Sequence, residues 1–174
     1  MKYLIVVDVQ NDFVDGSLGS KEAVAMLPKL VEKVKNFDGE VIFTKDTHFE
    51  DYLDTQEGKN LPVVHCIKDT KGWELADALV PLAENRKCYE KPTFASKKLA
   101  EDMLELYTKG EVESIELVGI CTDICVVSNA LMLKGFMPEL LISIDASCCA
   151  GVTPQKHEAA LDTMESCQIK VTNR

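Results

Sequence analysis

This chain has no apolar run approaching the roughly 18 to 20 residues that a helical membrane span requires. No leader for secretion is expected: Lys2 opens an apolar run that stops at Asp8, too short for a signal peptide. Basic residues are scarce, with 19 Lys and Arg against 29 Asp and Glu and a formal net charge of −10. That balance repels phosphate backbones and anionic lipid, so neither nucleic acid nor a membrane surface is expected as a partner. There is no internal repeat, no low-complexity tract and no linker. The seven cysteines are an odd number and lack a secretory context, which argues against a disulfide framework. The expected location is the cytoplasm. Most of the thiols read as small buried apolar residues.

The 174 residues favour one domain, spanning 1–174, with 46% hydrophobic and 28% charged residues. Lys2–Val9 reads KYLIVVDV, a β-branched run without alternation, which marks a strand buried on both faces. Helical spacing follows over Glu22–Asn36, with Val24, Leu27, Leu30, Val31 and Val34 on one stripe. Further strands are expected at Glu40–Thr44, Ser114–Val118, Leu140–Ile144 and Gln168–Val171. Further helices are expected over 97–107, over Asp123–Lys134 closed by Gly135, and from Pro154 to Glu165. Strands alternating with helices predict an α/β fold: three α/β/α layers around a mainly parallel sheet of Rossmann-like topology. Residues 45–72 break the rhythm. They hold no convincing strand yet carry two of the three histidines, and irregular stretches this long in a compact domain are often functional.

In open α/β sheets ligands bind beyond the carboxyl ends of the strands. Strand one runs into Asp8-Val9-Gln10-Asn11-Asp12-Phe13, and strand two into Asp46-Thr47-His48. The Ser114 strand runs into Gly119-Ile120-Cys121-Thr122-Asp123-Ile124-Cys125. Cys125 falls in the first turn of its helix, which Thr122 or Asp123 would cap. The positive helix end lowers a thiol pKa there, and free N–H groups could receive an oxyanion. The residues leave open whether Cys125 is a nucleophile or a buried helix cysteine. Cys121 is the weaker candidate.

Three runs together resemble one family. They are Leu4-Ile-Val-Val-Asp-Val-Gln-Asn-Asp-Phe13, Tyr89-Glu-Lys-Pro-Thr-Phe-Ala-Ser96 and Val118-Gly-Ile-Cys-Thr-Asp-Ile-Cys-Val126. In this order and spacing they are similar to the motifs of isochorismatase-like cysteine hydrolases, which include nicotinamidases. The resemblance spans nearly the whole chain. It implies Cys125 as nucleophile, Asp8 as acid/base and Lys91 as the charge between them. It implies a cis peptide at Ile120-Cys121 that turns the N–H groups of Cys121 and Cys125 toward the substrate oxygen. It also implies self-association, because members are often dimers or tetramers.

The same resemblance implies a divalent metal on Asp46, His48, Glu57 and His65. Two imidazoles with two carboxylates suit zinc, iron or manganese, with zinc first. Asp46 and His48 are two apart, so an extended segment aims both side chains to one side. The read-out substrate is a small amide, nicotinamide before others, with Gln10, Phe13 and Phe94 as candidate contacts. Where many nicotinamidases place an aromatic residue before the last metal histidine, this chain has Leu61-Pro62-Val63-Val64. That departure keeps other small amides, N-carbamoyl compounds and isochorismate-type vinyl ethers in play. A flavodoxin-like binding module would need a Ser/Thr/Gly-rich phosphate loop where Gln10-Asn11-Asp12-Phe13 stands. Trp73 reads as the start of a short helix, either packing or lining the pocket, and His157 reads as exposed. An adjacent Cys148-Cys149 suits neither a bridge nor a zinc knuckle.

Overall fold

The computed structural model describes residues 1–174. Its strands are β1 (Lys2–Val7), β2 (Glu40–Asp46), β3 (Cys88–Lys91), β4 (Ser114–Ile120), β5 (Leu141–Ala150) and β6 (Lys170–Thr172). All pair in parallel, in the order β3-β2-β1-β4-β5-β6. The strand order reverses between β1 and β4. Connections from β1 to β2 run toward one edge, and those from β3 through β4 and β5 to β6 run toward the other. Right-handed crossovers therefore place their helices on opposite faces. The helix α2 (Lys21–Asn36) lies against β4 and β5, while α5 (Lys97–Thr108), α6 (Val127–Phe136) and α7 (Pro154–Ser166) pack side by side. This is the three-layer α/β/α arrangement that the alternation predicts. Short helices α1 (Asn11–Val14), α3 (Gln56–Asn60) and α4 (Val80–Ala83) lie in the connections. No helix is long and apolar enough to cross a membrane.

The core explains the pattern of the strands. Leu4 through Val7 are fully buried between two neighbouring strands and two helical layers, hence a run without alternation. Buried side chains form one hydrophobic cluster that includes β1, β4 and the inner faces of the long helices. Ser20 caps α2 by accepting from Ala23 N at 3.1 Å, and Thr153 caps α7 by accepting from Lys156 N at 3.2 Å. Gly119 has φ of +125°, and a Cβ there would press into Val7 O. Only glycine allows β4 to approach β1 that closely.

Several boundaries differ from the sequence reading. Strand β3 is absent from it. CYEK is short, half polar and paired only with β2, so it gives no apolar run to detect. β5 continues to Ala150 rather than ending at Ile144, because its register against β4 jumps between Leu117 and Gly119. Gly135 does not stop its helix. It lies inside α6, which ends at Phe136. β1 ends at Val7, because Asp8 turns out of the extended region with φ of +50°.

Candidate active site

The carboxyl ends of β1, β2, β3 and β4 converge at the point where strand order reverses, the expected crevice of an open α/β sheet. Asp8 follows β1 and is fully buried. Its backbone N–H donates to Thr44 O at 3.2 Å, and its Oδ1 accepts from Thr44 Oγ1 at 2.6 Å. Lys91 closes β3 opposite Asp46, in the register that pairs the two strands. It is 1% exposed, an unusual place for a lysine.

Lys91 Nζ donates to Thr93 O at 3.0 Å, to Asp46 Oδ1 at 3.3 Å and to Cys125 Sγ at 3.4 Å. It approaches Asp8 Oδ2 more closely, at 2.6 Å, but without hydrogen-bond geometry. Asp8 Oδ2 is consequently the one buried side-chain oxygen or nitrogen with no hydrogen bond. Burial drives the Asp8 pKa up, against the pull of the Lys91 charge. Burial also works against the Lys91 charge, yet Asp8, Cys125 and Asp46 around it hold its pKa above the ordinary lysine value.

Cys125 sits in a π-helical turn, Thr122–Val126, between the cis peptide Ile120-Cys121 and α6. π-turns of this kind concentrate at functional sites. Ile124 N and Val126 N both donate to Cys121 O at 3.1 Å, while Cys121 N–H has no acceptor within the protein. The anticipated caps are corrected. Asp123 Oδ1 accepts from Val152 N at 2.9 Å, and Thr122 Oγ1 meets His157 Nδ1 at 2.8 Å, so neither caps the turn. His157 is accordingly half-buried rather than exposed. The helix-end argument for a lowered thiol pKa is corrected too: burial first, and then Asp8, push the Cys125 thiol well up, with Lys91 opposing. Cys121 is likewise pushed up to about 12 by burial and by Asp123.

Gln10, expected as a substrate contact, does not line the cleft. It is fully buried, its Nε2 donates to Asp46 O and Trp73 O at 2.9 Å each, and its Oε1 accepts from Asp46 N at 2.8 Å. Two of these three hydrogen bonds hold the backbone of Asp46 in place, and the third ties down Trp73. Trp73 lies in a turn, not a helix, and away from the cleft. Its Nε1 donates to Thr47 Oγ1 at 2.9 Å, and Lys45 Nζ sits 3.0 Å from its ring centre. Phe13 and Phe94 both line the cleft, which has a volume of about 470 Å³ and reaches Cys125, Asp46, Glu57 and His65.

The end of β2 supplies Asp46, and the long irregular loop after it supplies the other three candidate ligands. One donor atom from each of Asp46, His48, Glu57 and His65 lies within 4.8 Å of the others. His65 Nδ1–H donates to Val63 O at 2.7 Å, which leaves Nε2 as the ligand nitrogen. His48 Nε2 stands 3.1 Å from Asp46 Oδ2 and 3.6 Å from Glu57 Oε1. Burial opposes the Asp46 charge, but hydrogen bonds from both histidines and the Lys91 charge hold its pKa well below the usual carboxylate value. Two imidazole nitrogens and two carboxylates converging on one point fit a divalent metal.

Three residues here escaped the sequence reading. Tyr52 is 1% exposed, and its ring centre lies 4.7 Å from that of His48 and 5.0 Å from that of His65. Thr44 holds Asp8. Asn129 bonds to both the cysteine turn and the lysine loop. Only Asn129 carried a signal, as a polar residue on the buried stripe of α6.

Comparison with known proteins agrees with this geometry. The nicotinamidase of Schizosaccharomyces pombe is 26% identical over 97% of this chain and 91% of its own length. The crystal structure of a nicotinamidase/pyrazinamidase from Bacillus subtilis superposes with a TM-score of 0.83 at 28% identity, covering 99% of each chain. The pyrazinamidase of Pyrococcus horikoshii, solved in complex with zinc, superposes with a TM-score of 0.82 at 27% identity, again over 99% of each chain. The sequence profile described as the isochorismatase domain matches residues 2–174, and with that match across the strand-end crevice and all four strands that build it, the chain belongs to the isochorismatase family.

Proposed function

We propose that this protein is an amidohydrolase that converts nicotinamide to nicotinate and ammonia through a thioester on Cys125. The reading rests on one observation: a single buried ammonium, Lys91, lies 2.6 Å from a buried carboxylate oxygen and 3.4 Å from a thiol at the floor of one cleft. Cys125 Sγ attacks the amide carbon, and its proton passes to Asp8 Oδ2, a base whose pKa burial raises above the ordinary carboxylate value. The oxyanion meets the N–H groups of Cys121 and Cys125. Asp8 returns the proton to the amide nitrogen, the C–N bond breaks and ammonia leaves. Water then adds to the thioester, giving its proton to Asp8; the C–S bond breaks, nicotinate is released and the thiol is restored. Lys91 stays charged throughout and keeps the two anionic states affordable in a dry site.

Asp46, His48, Glu57 and His65 would hold a divalent metal, zinc in our reading. Bound there, the metal supplies Lewis acidity toward a ring nitrogen and so fixes the orientation of the ring. The seven unpaired thiols fit the cytoplasm, and residues 1–174 fit one domain.

One feature favours a second reading of the acyl group. The residues before His65 are aliphatic, and Leu61 lines the cleft. A small amide without a pyridine ring would pack there equally well. Ammonia release from nicotinamide, pyrazinamide and aliphatic amides is the test, run on wild type and Cys125→Ala, with and without chelator. Nicotinamide turnover that vanishes with the alanine change and falls with chelator is expected. Turnover that survives the alanine change overturns the mechanism.

A further inference from the structure

The groups that meet in the cleft come from segments far apart in sequence: the stretch from Lys91 to Ser96 after β3, and the stretch from Cys121 to Asn129 after β4. One buried side chain joins them. Asn129, 2% exposed, lies in the first turn of α6. Its Nδ2 donates to Cys125 O at 2.8 Å and to Phe94 O at 3.1 Å, and its Oδ1 accepts from Ser96 N at 2.9 Å. Lys91 Nζ holds the same loop from inside by donating to Thr93 O at 3.0 Å. The loop is thus pinned at Thr93 by the ammonium and at Phe94 and Ser96 by the amide. Ser96 in turn caps α5 by accepting from Leu99 N at 3.2 Å, so the far end of the loop is fixed too.

The chemistry of the site demands an amide here. Two carbonyl oxygens need two donors, and one N–H needs an acceptor. Aspartate would match the acceptor but turn an oxygen toward two carbonyls. Threonine would retain one donor, to the carbonyl four residues back, and lose the loop.

We propose that Asn129 is a positioning residue that sets the separation of Lys91 Nζ and Cys125 Sγ, and through it the rate of the chemical step. The inference rests on Cys125 being the nucleophile of the proposed reaction. Asn129 touches neither substrate nor the reacting atoms. It acts through the loop that carries the lysine and the turn that carries the thiol.

The test uses Asn129→Ala, Asn129→Thr and Asn129→Asp in the full chain, each checked by thermal melting. Two rates are measured: steady-state turnover of nicotinamide, and alkylation of each cysteine by iodoacetamide, resolved peptide by peptide. Exposed Cys88 and Cys167 serve as internal references. Folded Asn129→Ala is expected to lose about tenfold or more in kcat and in Cys125 alkylation, with KM within about twofold of wild type. Asn129→Thr falls between wild type and alanine, and Asn129→Asp falls lowest. The reference cysteines keep their rates. Should alanine fail to fold, the threonine and aspartate variants carry the same comparison. Unchanged kcat and Cys125 alkylation in a folded variant overturn the proposal. So does a rise in KM alone, which would mean that Asn129 acts on the cleft through Phe94. A wild type that alkylates at Cys125 but releases no ammonia removes the nicotinamidase reading and leaves the alkylation series to judge Asn129.

Discussion

The protein holds two lysine–carboxylate clusters, one half-buried and one fully buried, and they are built on opposite plans. Beneath α2, Lys33 Nζ lies 2.5 Å from Asp145 Oδ2 and 2.9 Å from Glu116 Oε1. Asp145 Oδ2 also accepts from Asn173 Nδ2 at 2.9 Å, and its Oδ1 accepts from Ser147 N at 3.1 Å and Ser147 Oγ at 2.9 Å. Both oxygens are therefore satisfied. In the cleft, Asp8 Oδ2 has the Lys91 charge beside it but no hydrogen bond. The pKa values diverge accordingly. Burial opposes the Asp145 charge, yet Lys33, Ser147 and Asn173 hold its pKa below the ordinary value, whereas burial carries that of Asp8 above it. A carboxylate with every lone pair engaged holds the fold together. One left a donor short is a group that can take and return a proton.

The comparison is broken most severely by Asp8→Asn. Ammonia release is expected to fall by about a thousandfold or more, the scale of losing a general acid/base. Measured turnover near wild type in Asp8→Asn would erase the distinction between the clusters. Next in size, Asp145→Asn is expected to cost about 1–2 kcal/mol, because half-buried Lys33 loses one of its two carboxylate partners and keeps Glu116. Its turnover should stay near wild type. Urea unfolding and the nicotinamide assay measure both, and a large loss of turnover with intact stability would reverse the assignment.

The smallest effect sharpens the same contrast through pH. The lowered Asp145 pKa means that its stabilisation is full above the unfolded value of about 3.9 and is lost as pH falls through the folded value. The stability gap between wild type and Asp145→Asn should therefore be widest near neutrality and narrow steadily below about pH 4. Unfolding curves across that range read the gap directly. A gap that widened in acid would contradict the sign.

Much of this was legible in the chain. The unalternating run at Leu4–Val7 predicts a strand covered on both faces, and Leu4–Val7 is fully buried. Of the apolar stripe read for α2, Leu30 and Val34 are buried, whereas Val24 is exposed. What escaped was decided by distant partners. β3 is visible only when β2 lies beside it. Gln10 looked like a substrate contact because a polar residue after a strand end faces the ligand side as often as the loop. Its amide is instead consumed by the backbone of Asp46, 36 positions away in sequence. Lys91 read alone is a surface lysine; its burial follows from the parallel register that sets it against Asp46.

From the chain by itself came the alternation of strand and helix, the loop that supplies metal donors, and the cysteine placed just after a strand end. These depend on near neighbours and on periodicity, which a linear sequence records. The tertiary structure alone decided which carboxylate was left a donor short, which lysine was enclosed, and which way the thiol pKa moved. Those outcomes depend on burial and on distances of a few ångströms between residues remote along the chain, where low dielectric makes each missing or added partner count.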